Sequence, residues 1–186
     1  MIDLRFAQLP SAIEVDGELF ALKTDFRVWI EFLRGCEEDE LASYCIFEDR
    51  VPPGDSWVGA AMEFANSENA TPHGGSGGGQ EHAFDFLLDG DYIVGSFQQA
   101  YGIDLTDPEL RMHWHRFLAL FRSLPEDTKM AEIMGYRCYS KAQAKRKPEA
   151  KMEEAKRRWT LPQRKTAANR AVVEWAEKAF GNIKYP

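Results

Sequence analysis

Cysteine is scarce in this chain: Cys36, Cys45 and Cys138 are odd in number and share no CxxC spacing. That excludes a disulfide framework and the common zinc knuckles, and it points to reduced, mostly buried thiols in a cytosolic setting. Long apolar runs are lacking too. None approaches the ~20 residues that span a bilayer. The opening Met1-Ile2-Asp3-Leu4-Arg5 carries acid early and has no apolar stretch, so no signal peptide and no membrane partner are expected. The glycine-rich stretch Gly74-Gly75-Ser76-Gly77-Gly78-Gly79 lacks the Gly-Lys-Ser/Thr ending of a phosphate loop, so it reads as a mobile linker. With 44% hydrophobic and 28% charged residues over 186 positions, the chain is globular in composition and needs no staple to fold.

What the chain does have is a split in charge. The net charge of -7 hides a net of -10 over residues 1–72, -6 over 73–136 and +9 over 137–170. An acidic body is followed by a basic segment, which suits attraction between surfaces of the same or neighbouring copies. The body's acidity repels phosphates and speaks against nucleic acid as a partner.

Pattern reading gives a mainly α fold. Ile13 and Val15 alternate with Glu14, Asp16-Gly17 supplies a type I′ turn, and Leu19 to Leu22 returns, an N-terminal β-hairpin. Thr24 is placed to cap a helix bearing Phe26, Trp29, Ile30 and Leu33 that stops at Gly35. Further helices are expected over Glu37 to Cys45 and after Asp55, the second carrying Trp57, Ala61 and Phe64. Phe86, Leu87 and Leu88 read as core, and Asp89 or Asp91 caps the helix that bears Ile93, Phe97 and Tyr101. Asp107-Pro108 then opens a strong helix with Trp114, Phe117, Leu118 and Phe121 on one stripe, and Ser123 to Glu126 caps the next. That stripe is expected to form the body's core with Phe97, Tyr101 and Ile133. Residues 1–136 are thus a helical body interrupted near 66–82. Residues 137–186 are a charged helical extension ending in an amphipathic helix around Trp175 and Ala179.

No catalytic, metal or cofactor constellation stands out, and the chain is read as a non-enzyme. His113 and His115, two apart on a helix, would point about 200° apart and could not share a metal. Lys145, Arg146, Lys147, Arg157 and Arg158 form a basic surface for an acidic partner. With Trp114, His115 and Trp175 they make up the candidate partner-binding set.

Several dispersed motifs together resemble one family. They are Ile13 to Gly17 with Thr24 to Arg27, Asp91 to Val94, Gln99 to Leu105, Met112-His113-Trp114-His115-Arg116-Phe117, Leu124 to Lys129 and Ile133 to Arg137. Their order and character are similar to the bacteriophage "gene product fifteen" proteins of the tail module, over most of residues 10–162. The glycine-rich region looks like an insertion, and nothing beyond Pro162 is covered. The resemblance implies a tail assembly chaperone in the bacterial host cytoplasm, with the tape-measure protein as partner and contacts to other tail proteins, while self-association is expected from the charge split. The alternatives are a tail completion or connector component of the virion and a nucleic-acid binder acting through the basic segment.

Overall fold

The computed structural model describes residues 8–38, 46–66, 83–139 and 149–162. Among these residues the fold is mainly α, six helices beside one two-stranded antiparallel sheet. The expected helix over Glu37 to Cys45, the glycine-rich stretch and the segment after Pro162 fall largely outside the described residues.

The chain divides into two compact units. The first comprises 1–74, 111–119 and 166–182, and the second 75–110, 120–165 and 183–186. In the first, β1 (Ala12–Val15) pairs with β2 (Glu18–Ala21), Ile13 opposite Phe20. Asp16 and Gly17 both take positive φ, 52° and 83°, as a type I′ turn requires. A two-stranded hairpin is marginal alone. Here Ile13, Val15 and Phe20 are buried, and residues 46–48 extend the sheet through Lys23 N–H to Ile46 O and Glu48 N–H to Ala21 O. Helix α1 (Phe26–Glu38) begins one residue later than the sequence suggests, because Asp25 is the cap: its carboxylate accepts the Arg27 N–H at 3.0 Å. Gly35 does not stop it. Helix α2 (Trp57–Asn66) completes the layer.

The core of this unit is aromatic. Trp29 is fully buried, stacks on Phe64 at 4.5 Å and on Trp114 at 6.4 Å, and donates Nε1–H to Lys23 O at 2.8 Å. Phe26 stacks on Phe117 at 4.8 Å, and Phe47 meets Trp57 edge-on. Each such ring contributes about 1.5–3 kcal/mol by leaving water.

In the second unit α3 (Gly90–Tyr101) ends in a left-handed cap: Gly102 takes φ 66° and donates to Gln98 O. Helix α5 (Lys129–Arg137) lies against α3, and Ser96 Oγ accepts the Met130 N–H at 3.0 Å, satisfying a helix-start donor that packing would otherwise strand. Helix α6 (Glu149–Trp159) packs on α5. Phe97, Met130 and Ile133 are fully buried, and Phe121 meets Phe84 and Phe86.

Three expectations need correction. Asp107-Pro108 forms only a turn, with the Asp107 carboxylate accepting the Glu109 N–H. Helix α4 starts later, at Trp114, and runs to Arg122. Its stripe does not serve one core. Trp114 and Phe117 pack with Trp29 and Phe26 in the first unit, whereas Phe121 belongs to the second. Cys138, at the end of α5, is exposed rather than buried.

Candidate functional site

The Met112-His113-Trp114-His115 motif sits where an extended segment becomes a helix. Residues 112–114 bond to residues 24–26 as an antiparallel bridge: Phe26 N–H to Met112 O at 2.9 Å and Trp114 N–H to Thr24 O at 2.7 Å. His113 is therefore extended, and it caps α4. Its Nδ1 accepts the His115 N–H at 3.1 Å. Its Nε2 must then carry the proton, which it gives to Pro10 O at 2.9 Å. Burial pushes the His113 pKa below its ordinary value, with the Pro10 carbonyl opposing. This geometry overturns the opposite-faces expectation: the two imidazoles lie 5.2 Å apart, because the helical 100° step does not apply to a residue outside the helix.

Trp114 and His115 turn inward. Trp114 Nε1–H donates to Ala65 O at 2.9 Å, and His115 Nε2–H donates to Phe64 O at 2.8 Å. Those carbonyls end α2, where no backbone donor remains. The two side chains thus cap one helix while standing in the first turn of another, and both are buried. Beside them lies an open cleft of about 510 Å³, lined by Lys23, Asp25, Glu48, Arg111 and His113 among others. Its charges of both signs favour neither an anion nor a cation. Among the described residues no group of three or more His, Cys, Asp and Glu could hold a metal ion.

In the second unit a buried clamp organises the basic helix. Arg137 and Asp89, both almost wholly buried, form a two-pronged ion pair at 2.6 and 2.9 Å. The remaining Arg137 donors reach Ala83 O at 3.2 Å and Trp159 O at 2.6 Å. Asp89 also accepts the Asp85 N–H at 2.8 Å, so it does not cap α3 through its side chain. Trp159 is held edge-on by Tyr92 at 5.4 Å, with the Lys129 ammonium 5.2 Å from its ring. Lys156 reaches back to Tyr139 O at 2.8 Å. Arg157 and Arg158 remain exposed on the last turn. Lys145, Arg146, Lys147 and Trp175 lie outside the described residues.

The apolar residues best placed to meet a partner were missed by pattern reading. Leu87 and Leu88, taken as core, are exposed, as are Leu19 and Val51. The signal was present in Asp85: an aspartate two and three residues before a pair of N–H groups builds a turn. Its carboxylate accepts both the Leu87 and the Leu88 N–H at 2.9 Å. No helix of the described residues is long and apolar enough to cross a membrane.

Compared with known proteins, the chain matches the family model described as "Bacteriophage Gp15 protein" over residues 58–161. That span includes all of α2 but its first residue, α3 to α6, the histidine motif and the Asp89–Arg137 clamp. No curated protein and no solved structure matches the chain.

Proposed function

Because the chain belongs to the bacteriophage Gp15 protein family, we propose that it acts without catalysis in phage tail assembly, as a chaperone that coats the tape-measure protein in the host cytoplasm before the tail tube polymerises. Family membership carries this reading. A long, helical, aggregation-prone client needs its apolar stripe covered until tube subunits replace the cover, and apolar side chains displayed beside charge are a physical means of doing so. The Trp114, Phe117 stripe is not that surface, since both rings are buried against Trp29 and Phe26.

Co-expression with the tape-measure protein tests the reading. The expected outcome is a soluble client that copurifies with this chain, and mature particles from which the chain is missing by mass spectrometry. A few copies in each particle, with no effect on client solubility, would instead identify a tail completion or connector component.

A further inference from the structure

Helix α6 is held differently from the helices it packs against. In α5, Met130, Ala131, Ile133, Met134 and Arg137 are buried, and in α3 so are Ile93, Ser96 and Phe97. None of residues 150–159 is buried. Met152, Ala155 and Trp159, at i, i+3 and i+7, are half-buried with Glu153 and Lys156, and the others are exposed. A helix of 11 residues is marginal alone in water, and most helical stability comes from burying an apolar face. Helix α6 has neither length nor a buried face.

Aromatic and polar contacts tie down its last turn. Trp159 O accepts the Arg137 Nε–H at 2.6 Å, the Trp159 ring meets Tyr92 edge-on at 5.4 Å, and the Lys129 ammonium stands 5.2 Å from that ring. Lys156 Nζ donates to Tyr139 O at 2.8 Å. The packing of α3 on α5 rests on other bonds. Arg137 has both prongs on Asp89 and a further bond to Ala83 O, and Met130 N–H reaches Ser96 Oγ. Lys129 is paired with Glu132 at 2.6 Å. All of these can persist when Trp159 leaves.

We propose that α6 is a strap latched by Trp159: it closes over the face formed by Tyr92, Lys129 and Arg137, and it opens, unfolding by itself, while α3 and α5 remain folded. Such opening is local unfolding at the low-stability end of the structure. It bares an aromatic ring, an ammonium and the Arg137 Nε–H together. The inference goes beyond the chaperone reading and is tested without any client.

The test is amide hydrogen exchange read by mass spectrometry on the full chain at neutral pH. Amides of α6 are expected to exchange roughly tenfold or more faster than those of α3 and α5, yet more slowly than in the unfolded chain. Trp159→Ser removes the ring and keeps the carbonyl. It should speed α6 exchange about tenfold again while α3 and α5 keep their rates. Lys156→Met leaves the aromatic contacts in place and should act in the same direction by less. Exchange of α6 in step with α3 and α5 would overturn the proposal, as would an α6 without protection in the wild type. So would variants that speed all three helices alike or leave α6 unchanged.

Discussion

His113 performs at the start of α4 the task an Asn or Asp usually performs, accepting a first-turn N–H. It can do so only while neutral, because a protonated imidazole has no acceptor left. Its folded pKa is pushed down by burial, so below about pH 6.5 the unfolded chain binds a proton that the folded chain does not. The stability it contributes is complete above that pH and is lost as pH falls through its folded pKa. His113→Asn keeps a capping acceptor and removes the titration. Urea unfolding at about pH 7.5 and about pH 5.5 should therefore show a smaller loss of stability for this variant than for the wild type; equal losses would place the titration elsewhere. Asp25, Glu48, Lys23 and Arg111 line the same cleft, and His115 lies beside it, so comparison with the variant isolates the His113 contribution. Asp89 and Arg137 are the second decisive pair. Asp89→Asn strands a buried guanidinium and should cost about 3–5 kcal/mol, while Asp89→Leu with Arg137→Met should recover most of that loss. A full double-mutant cycle in guanidinium checks both statements.

At the scale of elements, α4 shows why a stripe of aromatics is not by itself a site. Phe117 is fully buried, stacked on Phe26 and flanked by Trp114. Phe117→Ala should lower stability by about 3–5 kcal/mol in denaturant unfolding. A variant of unchanged stability would contradict the packing. The end of α3 gives a cleaner backbone test. A Cβ at Gly102 would meet no atom within 4 Å, yet φ there is 66°. Gly102→Ala should thus cost about 1–2 kcal/mol from conformation alone, visible as a lower denaturation midpoint with an unchanged slope.

For the whole molecule, charge decides between partner classes. The net charge of -7 opposes phosphate binding, and the basic turn of α6 is small and partly committed: Lys156 is bonded to Tyr139 O while Arg157 and Arg158 are free of that contact. Duplex DNA retention on a filter at about 0.15 M salt should be weak, in the non-specific range above ~1 μM. Tight retention that Arg157→Ser and Arg158→Ser abolish would move nucleic acid ahead of an acidic protein surface.

Sequence alone determined what depends on neighbours along the chain. Asp16-Gly17 must turn with positive φ, the 3.6-residue apolar spacing must make helices, and dispersed motifs suffice to mark the family, because these follow from backbone sterics and local order. The tertiary structure decided what depends on distant partners. Periodicity placed an apolar face on α4 but could not say that Trp114 would meet Trp29 while Phe121 joined Phe84. His113 became a cap because residues 24–26 hold 112–114 extended, and Asp89 left its capping role because Arg137, 48 positions away, offered a stronger bond. Leu87 and Leu88 mark the boundary between the two: Asp85, two and three residues before them, is a turn signal legible along the chain, whereas the outward display of both side chains, against a composition that favours burying leucine, is seen only in the folded chain.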